Sequence, residues 1–146
     1  MIDYLWSAIE DKFNATKSLS AAGQGSAGRI FVGHLADKSV HGPSPHVVAD
    51  FEDLGRLDTF GTDIELYEVT FTIFSGSFDA KGCMNAMGDM KRSFDYCRLD
   101  SKMFTTVEFK RTGGTGPDLL DGRYQATMRY EVIIQLTAAL PPIRKV

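Results

Sequence analysis

Three histidines near one another could bind a metal through their imidazole nitrogens. His34, His41 and His46 fall within one short region, and imidazole is a common ligand of zinc and other transition metals. Proline-rich loop sequence separates them and no helix with a matched carboxylate is evident, so nothing fixes a coordination geometry. The sequence favours turn and surface histidines, and we predict no metal site.

An acidic cluster offers a second possible chemistry. Asp50 and Glu52 would lie on one face of a strand, with Asp53 beside them, and paired carboxylates can act as general acid and base in hydrolases. Charge at an exposed strand end is the favoured interpretation. No serine stands in a G-x-S-x-G elbow, so we predict no catalytic residue and no enzyme.

The segment from Gly23 to Gly28 reads G-x-G-x-x-G, the pattern with which glycines admit a pyrophosphate at a helix N-terminus. Here it follows a predicted helix and precedes a predicted strand, so no helix dipole points at a phosphate. We predict a flexible linker over residues 18–28 and no cofactor.

The two cysteines, Cys83 and Cys97, fall within one predicted helix, where they would be roughly 21 Å apart. That distance excludes a disulfide within an intact helix. Their spacing fits no zinc motif, so we interpret both as buried free thiols of a reducing compartment.

Size and charge set broader limits. The chain has 146 residues, 43% of them hydrophobic, and a net charge of −3, which fits one domain over residues 1–146. The absence of a basic block argues against tight binding of nucleic acid, although passing DNA remains compatible. No apolar run approaches the ~20 residues that a membrane-spanning helix needs, so we expect no membrane and assembly in the cytoplasm.

Hydrophobic periodicity places these residues on an ordered series of elements. Apolar residues recur at helical spacing in the first and fifth segments and alternate in the others. An N-cap at Ser77 would begin the second helix. The predicted elements are a helix over residues 2–17, strands over 29–33, 46–51 and 64–75, a helix through Cys83 and Cys97, and strands over 103–110 and 122–136.

This order predicts an α+β fold. We expect a mostly antiparallel sheet of about five strands, with the N-terminal helix and the second helix packed on one face. The last strand would reach roughly 50 Å, whereas a compact domain of this length is only roughly 40 Å across. We therefore expect a long β-hairpin arm with a mobile loop over residues 112–121, followed by an extended tail over residues 141–146. An arm that leaves its core exposes backbone groups to other chains and so favours assembly.

The whole series resembles the tail-terminator, or tail-completion, proteins of long-tailed bacteriophages and related prophage elements. The resemblance covers most of the chain and rests on the order and spacing of its elements. The segments that carry it are the N-terminal helix over residues 1–17, Arg29-Ile30-Phe31-Val32, Pro45-His46-Val47-Val48, Glu68-Val69-Thr70-Phe71-Thr72-Ile73-Phe74, the helix with Ala80 and Met87, and the late strand with Gly122-Arg123-Tyr124 and Val132-Ile133-Ile134.

The resemblance implies a structural virion protein of the tail and neck. Such a subunit forms a hexameric ring at the head-proximal end of the tail tube, stops tube growth and joins the tail to the head connector. Its partners would be itself, the tail tube protein and the connector or neck protein, with genomic DNA only as passing cargo. The family has no catalytic residues, so none carries over.

We expect contacts with neighbouring subunits or with the tube at the turn and at two arginines of the last strand. The predicted contact residues are Thr112, Gly113, Gly114, Thr115, Gly116, Pro117, Asp118, Arg123 and Arg129. Two alternatives stay open: another neck or baseplate ring subunit, and a small-molecule-binding α+β domain whose pocket would include Phe71, Ile73 and Phe74.

Overall fold

The first helix forms where the sequence predicts it. The computed structural model describes residues 2–33, 45–59, 62–77, 79–120 and 122–136. Helix α1 spans Ile2–Ala15 and buries Leu5, Ile9 and Phe13. Because these residues recur every four positions, they form one stripe that packs into the core.

The glycine-rich segment after α1 is a compact turn rather than the open, flexible linker that we expected over residues 18–28. A short 3-10 helix spans Ala21–Gly23, and Leu19 is fully buried. Backbone hydrogen bonds close the turn, among them Ala27 N to Leu19 O at 3.1 Å and Ser26 N to Ser18 O at 2.9 Å. The glycine content therefore predicted the wrong structure for this segment. Its backbone N–H groups donate to carbonyls within the same segment, which holds it in a compact turn.

Five strands in the described residues form a single sheet, in the order β1-β2-β3-β5-β4. The strands are β1 (Arg29–Val32), β2 (His46–Thr59), β3 (Thr62–Ser77), β4 (Phe104–Leu120) and β5 (Arg123–Leu136). Strand β1 pairs in parallel with β2, whereas the other three pairings are antiparallel. The α+β class is confirmed, but the sheet is mixed, which corrects the expected mostly antiparallel arrangement. Side-chain alternation is the same in both kinds of pairing and does not reveal strand direction.

The β2–β3 hairpin is longer than the two strands that the sequence predicted. Pairing continues from His46 opposite Phe74 to Thr59 opposite Thr62, with an irregularity between Asp53 and Gly55. Gly55 has φ +110°, a backbone conformation that glycine adopts readily. Acidic residues and a glycine are uncommon in strands, so the second half of β2 lacks the usual sequence signal.

The predicted loop over residues 112–121 is wrong: residues up to Leu120 belong to β4. These residues pair with β5 through Leu120 opposite Arg123, with irregularities along the ladder. The Gly116–Pro117 peptide bond is cis. Glycine and proline are turn residues in most contexts, but an edge strand tolerates them because its outer side needs no partner.

Helix α2 spans Ala80–Phe94 and buries Cys83, Ala86, Met90 and Phe94. Its N-cap is Asp79, whose side chain accepts a hydrogen bond from Gly82 N at 2.8 Å. The predicted cap, Ser77, is instead the last residue of β3. The helix also ends before Cys97, so the distance calculated for two cysteines on one helix does not apply.

Both helices contribute to one hydrophobic cluster with alternate residues of the central strands, which agrees with the expectation that they pack on one sheet face. Aromatic rings join the layers. The ring centroid of Phe71 lies 5.2 Å from that of Phe94 and 5.7 Å from that of Tyr130, and the centroids of Phe109 and Tyr130 are 5.0 Å apart. The core therefore fixes the position of β4 through Phe109, beside the stretch that bears most of the predicted contact residues.

Candidate assembly interface

Strand β4 is an edge of the sheet. It has 17 residues, whereas the opposite edge strand β1 has only four, Arg29–Val32. An edge strand presents backbone donors and acceptors that have no partner on its outer side, and long edges of this kind are templates for pairing with another chain. How each part of β4 is covered decides where another chain could bind.

The chain itself covers the first half of this edge. Thr106 N donates to Leu99 O at 3.1 Å, and Tyr96 N donates to Phe109 O at 2.8 Å. Leu99 N donates to the Thr106 side-chain hydroxyl at 2.8 Å, and Ser101 N donates to Phe104 O at 3.0 Å. The segment after α2 thus satisfies outward backbone groups of β4 as far as Phe109.

The second half of the edge, residues 110–120, is open. Among the described residues, no backbone hydrogen bond reaches this stretch except those of the β4–β5 ladder. Thr112 and Thr115 are exposed, and their hydroxyls contact β5, at 3.4 Å from Arg129 O and 2.7 Å from the Thr127 hydroxyl. The seven predicted contact residues from Thr112 to Asp118 all lie on this open stretch.

The two predicted arginines have different environments. Arg129 is exposed and pairs in register with Gly113, so it lies beside the open stretch. Arg123 is buried, donates from Nε to Ser75 O at 3.2 Å, and lies 5.4 Å from the Phe74 ring. Burial lowers the pKa of its guanidinium. The structure gives Arg123 a packing role within the sheet, and Arg129 is the arginine available at the edge.

A groove of about 260 Å³ runs between α2 and the glycines of β4. Met87 and Lys91 of α2 form one wall, and Met128 of β5 is part of the lining. Gly114 cannot be replaced without strain, since a Cβ there would lie 2.6 Å from Thr127 O. The missing side chains leave room beside the strand for those of an incoming chain.

One carboxylate fixes the boundary between the covered and the open half. Asp95, just after α2, accepts a hydrogen bond from Tyr130 Oη at 2.6 Å, and Arg111 donates to it from Nε at 3.2 Å and from Nη2 at 3.2 Å. Burial, followed by the hydrogen bond to Asp95, raises the pKa of Tyr130. The separate hydrogen bond from Arg111 to Asp95 raises the pKa of Arg111. This cluster ties β4 and β5 to the end of α2. Sequence reasoning missed it, because the three residues are remote in the chain.

The other residues with possible chemistry do not form a comparable site. His34 and His41 lie outside the described residues, while His46 is buried on β2 and stacks on Phe74 at 4.8 Å. Across the described residues, no group of three or more His, Cys, Asp or Glu has a geometry that could hold a metal ion. Asp53 accepts a hydrogen bond from Gly55 N at 2.8 Å, which stabilises the irregularity in β2.

The cysteines are free, as predicted, with Cys83 buried and Cys97 partly buried. Burial raises the pKa of both thiols, that of Cys97 to about 11. No helix in the described part of the chain is long and apolar enough to span a membrane.

The G-x-G-x-x-G segment lines a polar groove of about 540 Å³ against α2. Ser26 donates to Asp89 at 2.5 Å, and Arg92 also pairs with Asp89. The carboxylate already has two partners within the chain, and it joins the turn to the helix.

Comparison with known proteins identifies a shared fold. No protein-family model matches the sequence, and no curated protein matches it. Among solved structures, a chain from the "Virion of native gene transfer agent (GTA) particle" matches with a TM-score of 0.66 over 92% of this chain and 96% of that chain. The likeness establishes the fold alone. At 9% identity, the residues of an interface are not carried over from that chain.

Proposed function

We propose that this protein is a structural subunit of the virion of a tailed bacteriophage or related phage-like particle. The observation that carries the proposal is the fold, which is shared along nearly the whole length of a chain from a gene transfer agent virion. The open half of the β4 edge supports it, because backbone groups that have no partner among the described residues can pair with a strand of a neighbouring chain.

Within the virion, we propose that the subunit forms a hexameric ring that terminates the tail tube and joins the tail to the head–neck connector. The order of elements supports this role through the resemblance to tail-terminator proteins. A ring of identical subunits needs two different surfaces that meet head to tail, and the open edge of β4 is suited to be one of them. The net charge of −3 per subunit is compatible with a ring through which DNA passes without being held by its phosphates.

Light scattering of the purified protein, followed by electron microscopy with tail tubes, tests this proposal. We expect rings, either free at high concentration or assembled on tube ends, and tubes whose growth stops once the protein is added. A protein that stays monomeric and leaves tube ends bare and growing would contradict the proposal.

A different neck or baseplate ring subunit is the second candidate, since the matching chain is described only as part of a virion. That subunit would also form rings, but it would not cap growing tail tubes and stop their growth. Ring formation without tube capping would therefore favour this candidate over a tail terminator.

A further inference from the structure

We draw no further inference here: the strongest candidate, the open edge of β4 over residues 110–120 together with the groove between this stretch and α2, belongs to the candidate interface already described, and nothing in the structure shows what covers it.

Discussion

At the residue scale, Asp95 connects three elements beside the candidate interface: the end of α2, β4 and β5. It accepts hydrogen bonds from Tyr130 and Arg111, and it directly follows α2. A partly buried carboxylate with a cationic donor makes stronger hydrogen bonds than neutral groups do. The cluster therefore holds the start of the open edge in a fixed position relative to the core.

Removal of the Asp95 charge should destabilise the protein. We expect Asp95→Asn to lower the free energy of unfolding by about 1–3 kcal/mol, because the Tyr130 hydroxyl and the Arg111 guanidinium lose their charged acceptor. Urea unfolding followed by circular dichroism measures the change. Asp118→Asn is the control, since Asp118 is exposed on β4 and should change stability by less than about 0.5 kcal/mol. Equal effects of the two substitutions would contradict the role of Asp95.

Tyr130 should make stability depend on alkaline pH. Its pKa is raised in the folded protein, mainly by burial, so the unfolded chain releases the phenolic proton first, near the ordinary value of about 10. The contribution of this group is therefore complete below about pH 10 and is lost as the pH rises toward the folded pKa. Unfolding measured between pH 8 and 11 should show decreasing stability, with a shallower decrease in Tyr130→Phe. An unchanged slope in that variant would assign the dependence to other groups, such as Tyr67, whose pKa burial also raises.

The thiols should react slowly in the folded protein. The pKa of Cys97 is raised to about 11 and Cys83 is fully buried, so little thiolate is present or accessible near pH 8. Labelling with a chromogenic disulfide reagent should be slow in native buffer and fast after unfolding. Met84→Cys adds an exposed thiol as the reference. Native labelling of Cys83 at the rate of that reference would show that α2 does not bury its apolar face.

At the element scale, Gly114 of β4 and Gly88 of α2 differ in whether their position requires a glycine. Gly114 lies against the backbone of β5, with Thr127 O at 2.6 Å from the position of a Cβ. Gly88 lies on α2, where the nearest atom to such a Cβ is the Arg92 guanidinium at 3.6 Å. The first glycine is needed for close approach of two strands, whereas the second only weakens a helix.

The two glycines should therefore respond oppositely to alanine. Gly114→Ala should destabilise the protein by about 1–3 kcal/mol through overpacking, and Gly88→Ala should stabilise it by up to about 1 kcal/mol through helix propensity. Thermal unfolding of both variants beside the wild type measures the signs. A neutral Gly114→Ala would mean that β4 shifts easily away from β5.

The extent of β4 also revises what a shortened hairpin would do. Because residues 112–120 pair with β5 as a strand, replacing them with a two-residue turn would remove strand pairs and expose the facing side of β5. Glycines and Pro117 argue against a strand only where both of its sides need hydrogen-bond partners. The outer side of an edge strand needs none, so these residues are compatible with β4.

At the scale of the whole molecule, the open backbone of the described residues indicates which surface could take part in the proposed assembly. One half of β4 is covered by the segment after α2, and the other half is open among the described residues. Natural proteins close such edges with charged residues when assembly must be avoided. A lysine placed on the open half should act in the same way.

Thr112→Lys should therefore weaken assembly while leaving the fold intact. The position is exposed, so the thermal midpoint should stay close to that of the wild type, and ring formation should fall at least about tenfold. Val32→Lys is the control on the other sheet edge, where Val32 is also exposed. Analytical ultracentrifugation compares the two variants. Equal loss of rings in both would contradict the assignment of the contact to β4.

Local patterns in the sequence determined much of this fold. The four-residue spacing of Leu5, Ile9 and Phe13 and the alternation of β5 follow from the geometry of a helix and a strand, so each pattern could be recognised without knowledge of its partners. The α+β class followed from the order of these elements. The tertiary structure decided the properties that depend on residues far apart in the chain. These are the parallel direction of β1, the inclusion of residues 112–120 in a strand, the compact turn over residues 18–28, and the meeting of Asp95, Arg111 and Tyr130. Glycine and proline allow either a turn or an edge strand, and only the position of β4 at the outside of the sheet selected between them.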